Sequence, residues 1–219
     1  MVDIISNNLA NAQTTGFKRD FGQIFEEVSG DVTEVVVSSY IDLTPGPPVS
    51  TGRGMDAAID GDGYFVIETD AGNRYSRNGS FQVDADGDLV LQDGSRVMGD
   101  GDSPIFVGEG TRISIQAGGD VIVDDISVGT LRVVTFDNPG LLQKEGLFRL
   151  RWNGEAGGVQ DALEPRVRGG YLESSNVNPV SEMVALMTTF REFESVAQTI
   201  RSIATDMDKQ LLAELADLT

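Results

Sequence analysis

The sequence predicts a mainly β protein with α-helical termini: an antiparallel, sandwich- or barrel-like central domain carrying N- and C-terminal helices of coiled-coil type. Three observations carry this expectation. Short β-prone runs alternate with Gly- and Asp-bearing turn signals about every 8–12 residues through the middle of the chain. Apolar residues near the C-terminus recur at steps of three and four. The 219 residues include 26 Gly, and 22 Asp against 13 Glu, a composition that favours turns over helix interiors.

From the N-terminus, Val2, Ile5, Leu9 and Ala12 fall on one stripe of a 3.6-residue helix. Thr14-Thr15-Gly16 stops it, with Gly16 suited to a left-handed C-terminal cap. Phe17, Phe21, Ile24, Phe25 and Val28 continue at roughly helical spacing, so the expected helical segment covers 1–28, although Gly22 weakens its second half. Residues 29–55 read as a linker or extended segment. Val35-Val36-Val37 suggests a strand within it, and Pro45-Gly46-Pro47-Pro48 and Gly52-Arg53-Gly54 are loop material.

A β-rich domain is expected over 56–175. Tyr64-Phe65-Val66-Ile67 ends at Asp70-Ala71-Gly72-Asn73, and Asn78-Gly79 predicts a hairpin turn whose two central residues take positive φ. Asp86-Gly87, Asp93-Gly94 and Gly118-Gly119 separate further short strands, and Leu131–Phe136 is the most strand-like run. The last region, 176–219, predicts a helix. Asn178 suits the N-cap, Pro179 the first helical position and Glu182 the first turn. Met183, Met187, Phe190, Phe193, Ala197, Ile200, Ala204, Met207, Leu211, Leu215 and Leu218 then form a near-heptad stripe. At 1.5 Å per residue the stripe runs roughly 60 Å, against about 20 Å for the N-terminal helix. Most of it therefore has no partner within the chain and predicts an interaction surface.

Composition excludes much chemistry. There is no Cys, so no disulfide framework or thiolate metal site, and no His, so no imidazole catalysis or His-ligated zinc. The 35 acids and 16 bases give a formal charge of −19, which argues against nucleic acid or anionic lipid as partners. The chain shows no membrane-length apolar run and no secretory leader. It is therefore expected not to insert into a membrane, and to leave the cytoplasm, if it does, without a cleaved signal.

The acids suggest two alternative functions. Asp84-Ala85-Asp86-Gly87-Asp88 looks like a calcium loop, but an EF-hand needs Gly and an acid where Leu89 and Ser95 stand. Turns are the simpler reading, and a calcium-dependent surface or adhesion module is the weaker one. A carboxylate hydrolase acting on peptidoglycan needs two acids about 5–10 Å apart in a cleft, and the sequence singles out no pair. No cofactor or metal is expected.

Three stretches then narrow the reading. Ser6-Asn7-Asn8-Leu9-Ala10-Asn11-Ala12-Gln13-Thr14-Thr15-Gly16-Phe17-Lys18 resembles the N-terminal signature of bacterial flagellar rod and hook proteins. Leu172–Val184 is similar to the same family's approach to its C-terminal helix. Ile59–Val66 with Tyr75–Phe81 is similar to its central β domain. Within the family the compact length, Arg77-Asn78-Gly79 and Asn178-Pro179-Val180 most resemble proximal-rod members, with distal-rod members next. The resemblance implies a non-enzymatic axial subunit of the basal-body rod, assembling through its terminal helices into a helical tube with other rod and hook-type subunits. It also implies export by the flagellar type III apparatus, and an N-terminal helix longer than the one preceding the motif here. The interface residues it implies are Asn7, Asn8, Leu9, Asn11, Gly16, Phe17, Met183, Met187, Phe190, Ala197, Ile200, Ala204, Met207 and Leu211.

Overall fold

The computed structural model describes residues 1–29, 32–108, 110 and 112–217, without the side chains of 24–38, 156 and 208–217. Helix α1 spans Val2–Ala10 and buries Ile5, with Val2, Leu9 and Ala12 half-buried along the expected stripe. The helix ends before Gly16. That residue is left-handed, at φ +68°, but it stands in a later turn that the Phe17 N–H closes onto the Thr14 carbonyl.

The helical expectation for 17–28 is corrected. From Asp20 the chain is extended: β1 (Asp20–Ser29) pairs antiparallel with β2 (Val32–Ile41) along its whole length as a two-stranded ribbon. The helical spacing of its apolar residues was a local coincidence. Gly22 disfavours a helix, and the β-branched run of β2 supplies a partner that the 17–28 window does not contain. Residues 32–55 are extended in part, as expected, and the Val35–Val37 run lies in a strand. The segment contains β2, and Pro48–Ser50 pairs with Tyr171–Glu173, so the intervening loop is held at both ends.

Between these flanks every ladder among the described residues is antiparallel. The largest sheet runs in the order Leu142–Glu145, Arg149–Trp152, Gly72–Ser76, Tyr64–Thr69, Arg96–Val97, Leu89–Val90, Gln82–Val83, with Val133–Phe136 pairing Tyr64–Thr69 off this path. Ile113–Ile115, Asp120–Val123 and Ile126–Thr130 make a smaller sheet. The run Tyr64–Ile67 lacks apolar–polar alternation because both of its faces are buried. Phe65 and Ile67 join the core of Phe81, Leu89, Val97 and Leu131. Tyr64 and Val66 join a second core with Tyr75, Phe136 and Leu150. The lone Trp152 stacks on Phe136 at the edge of the second.

The Asp residues act as turn formers. Asp84 Oδ1 accepts the N–H groups of Asp86 and Asp88 at 3.0 and 2.9 Å, and Asp93 Oδ1 that of Ser95 at 3.1 Å. Gly87 and Gly94 supply positive φ beside them. Asn78-Gly79 is different: neither residue takes positive φ, and no hairpin turns there. Asn78 is buried, and Gly79 lies so close to the next strand that a Cβ would stand 1.8 Å from the Ala57 carbonyl oxygen. The glycine is there for close backbone approach, not for turn handedness.

At the far end α2 spans Pro179–Asp217, 39 residues or about 58 Å. Asn178 Oδ1 accepts the N–H groups of Val180 and Ser181 at 3.0 and 3.2 Å, the expected N-cap. Helix α1, with 9 residues, packs on α2 but reaches along only a fraction of it. No helix among the described residues is long and apolar enough to cross a membrane. Replacing Gly79 with Ala is expected to lower stability by about 1–3 kcal/mol, read as a fall in the urea midpoint. Gly157→Ala, where an added Cβ meets nothing within 4 Å, should leave that midpoint unchanged.

Candidate assembly interface

The exit of the N-terminal signature is wired into the start of α2 by two buried carboxylates. The first is Glu173, on the strand just before α2. Its Oε1 accepts a hydrogen bond from Lys18 Nζ at 2.6 Å and from the Gly46 N–H at 3.1 Å, and its Oε2 one from Arg77 Nη1 at 3.2 Å. Glu173, Lys18 and Arg77 are each only 2% exposed. Lys18 also donates to the Thr44 carbonyl at 2.8 Å, and Arg77 to the Gly61 carbonyl at 2.8 Å. The Arg77 guanidinium lies over the Tyr64 ring. Burial pushes the Lys18 ammonium below its usual value, and the Glu173 carboxylate opposes that shift.

The second carboxylate, Glu182, stands in the first turn of α2 and is 1% exposed. Arg19 Nε donates to its Oε1 at 2.6 Å, and Asn8 Nδ2 to its Oε2 at 3.4 Å. Two amides hold the base of the β1–β2 ribbon beside it. Asn8 accepts the Asp20 N–H at 2.9 Å and donates to the Asp20 carbonyl at 2.6 Å. Asn176 accepts the Arg19 N–H at 2.7 Å and donates to the Asp42 carbonyl at 2.8 Å. Lys144, on the edge strand of the large sheet, donates to the Lys18 carbonyl and to Asp20 Oδ2, both at 2.7 Å, and sits over the Phe17 ring. Its pKa is lowered by burial, with Asp20 opposing.

These contacts place the expected interface residues in two groups. Asn8, Asn11, Gly16 and Phe17 are buried inside the subunit, Leu9 is half-buried, and Asn7 is exposed. Asn11 donates to the Asn7 carbonyl at 2.9 Å. A Cβ on Gly16 would stand 2.5 Å from the Asn78 nitrogen, so the signature lies directly on the β domain. The second group faces outward. Met183, Met187, Phe190, Ile200, Ala204 and Met207 are exposed along α2, with Ala197 half-buried, and the side chain of Leu211 lies outside the described residues.

Sequence reasoning named the signature residues but not the ion pairs they make. Lys144 carried one signal, rarity: the chain has three Lys, and two of them, Lys18 and Lys144, meet here. Among the described residues no cluster of three or more acids could hold a metal. Removing an anion from between two buried cations is strongly destabilising. Glu173→Ala is therefore expected to lower stability by about 3–5 kcal/mol, measured by urea unfolding. Arg112→Ala, at the largely solvent-exposed Arg112–Asp125 pair, should change the midpoint little.

Comparison with known proteins identifies the family. The family profile described as "Flagella basal body rod protein" matches residues 1–18. "Flagellar hook protein FlgE/F/G D1 domain" matches 58–123, and "Flagellar basal body rod FlgEFG protein C-terminal" matches 168–214. Flagellar basal-body rod protein FlgF of Caulobacter vibrioides is 34% identical over 218 residues, covering 93% of this chain and 87% of its own. FlgF of Escherichia coli is 34% identical over 220 residues, covering 91% and 86%. Flagellar basal-body rod protein FlgG of Bacillus subtilis is 30% identical over 249 residues, covering 99% and 92%. With its rod-protein ends and its intervening β domain all matched in order, this chain belongs to the flagellar basal-body rod protein family and is a structural subunit rather than an enzyme.

Proposed function

We propose that this rod subunit occupies the proximal rod and joins its neighbours through the apolar stripe of α2. The stripe is the observation that carries the reading: Phe190 and Ile200 are 50% and 61% exposed on a helix that α1 covers only near its start. Large apolar side chains exposed from Met183 to Met207, about 36 Å of helix, need a partner helix, and the coiled-coil spacing states what kind. Repeated head-to-tail contacts that do not close give a helical tube, the form a rod requires. The proximal position is supported by alignment length. The FlgF relatives align over 218 and 220 residues, close to the 219 of this chain, whereas the FlgG relative needs 249. Export through the flagellum's own type III apparatus belongs to the same proposal, as does contact with other rod and hook-type subunits.

Two measurements test it. The double variant Phe190→Asp/Ile200→Asp is expected to be absent from purified basal bodies while the β domain keeps its cooperative urea transition; normal motility with incorporated variant protein overturns the stripe. Supplied in trans, the chain should restore motility to a strain lacking its proximal-rod subunit and not to one lacking its distal-rod subunit. Rescue of the second strain alone reverses the assignment.

A further inference from the structure

We propose that Asn153 is a modification site: its side-chain amide is lost spontaneously, through attack by the nitrogen of the glycine that follows it. The sequence contains the Asn-Gly pair twice, at 78–79 and 153–154, and the fold treats the two oppositely. A following residue without a side chain lets its main-chain nitrogen swing toward the preceding amide, a motion that any Cβ hinders. The Gly154 nitrogen attacks Asn153 Cγ, the new N–Cγ bond replaces Cγ–Nδ2, and Nδ2 leaves as ammonia with the Gly154 amide proton. Water then opens the resulting cyclic imide at either carbonyl. One opening gives a normal aspartate; the other gives a β-linked aspartate, whose main chain is longer by one carbon. Either product adds a negative charge to the surface.

The surroundings of Asn153 permit this. It is exposed, in the connection between Arg149–Trp152 and Val159–Asp161. Among the described residues its side chain makes no hydrogen bond, and the Gly154 N–H donates to no acceptor. Packing also demands the glycine: a Cβ at 154 would stand 2.3 Å from Cζ2 of Trp152, the only tryptophan, so the ring lies against bare main chain. Asn78-Gly79 is fixed instead. Asn78 is buried, its Oδ1 accepts the Ser80 N–H at 3.0 Å, and the Gly79 carbonyl accepts the Ala57 N–H at 3.0 Å, so the Gly79 nitrogen is not free to swing. The β-linked product has a structural consequence. Trp152 Nε1 donates to the Glu155 carbonyl at 2.8 Å, and its ring stacks on Phe136. An extra main-chain carbon between 153 and 154 displaces Glu155 from that donor and loosens the ring. All of these contacts lie within the β domain, so nothing here depends on α1, α2 or the rod assignment.

Peptide mapping of the aged full chain tests the site. Trypsin places the two Asn-Gly pairs on separate peptides, 152–166 and 78–96. After incubation of the folded protein at mildly alkaline pH, peptide 152–166 is expected to lose the Asn153 amide about tenfold faster than 78–96 loses that of Asn78, whose reaction waits for local opening. The converted 152–166 should separate into aspartate and β-linked forms. In concentrated urea, where the fold no longer distinguishes the pairs, the two rates should converge. Asn153→Gln should stay unconverted; continued amide loss in it would place the reaction at Gln160 and overturn the site. So would a folded chain in which 152–166 converts no faster than 78–96. Fluorescence of Trp152 gives the second readout. The β-linked fraction should be red-shifted, while Asn153→Asp, which has the charge on a normal main chain, should match the unaged protein. An unshifted β-linked fraction overturns the consequence for Trp152.

Discussion

Two buried anions organise this subunit, and they stand on either side of the point where sheet becomes helix. A carboxylate taken out of water is several kcal/mol unfavourable unless cations and hydrogen-bond donors accompany it. Here the answering cations include the last residue of the N-terminal signature, Lys18, and the residue that follows it, Arg19. Lys18 turns to Glu173 and Arg19 to Glu182. One short stretch of chain thus plugs two sockets, one belonging to the β domain and one to the helix. The positions of α1, the β1–β2 ribbon and α2 follow from that double contact.

The remaining charge has a different place in the molecule. Asp side chains at turns accept backbone N–H groups through one oxygen and leave the rest of the carboxylate to solvent, as at Asp84 and Asp93. Many of the large exposed apolar side chains stand along α2, while others, such as Phe106, Ile126 and Leu163, are scattered over the rest of the surface. A net charge of −19 opposes indiscriminate association of such stripes, and only a well-aligned helix–helix contact gathers enough apolar burial to overcome it. Repulsion distributed over the surface and attraction confined to a seam favour assembly in one geometry.

Much of this was legible in the sequence where the cause is local. The N-cap at Asn178, the Asp-Gly turns and the continuous apolar run at Tyr64–Ile67 depend on a few neighbouring residues, and the structure contains them as expected. The misreadings have distant causes. Residues 20–29 place apolar side chains on both alternating sets, so no period of two appears, and the strand exists because Val32–Ile41 pairs with it. Asn78-Gly79 has the composition of a hairpin turn, but Ala57 presses against it and the glycine serves that approach. The ion pairs were hidden for the same reason: Lys18 and Glu173 each lie within recognisable motifs, and nothing near either names the other.

The Lys18–Glu173 contact joins residues 155 positions apart. Closing a loop of that length is entropically unfavourable before any compensating contact forms, and topologies dominated by such closures fold slowly. Until Glu173 is in place, Lys18 and Arg77 have no buried anion and no reason to leave water. Consolidation of the signature against the β domain therefore waits for nearly the whole chain. The latch joins three stretches far apart in sequence, around Lys18, Arg77 and Glu173, and none of them can form it alone.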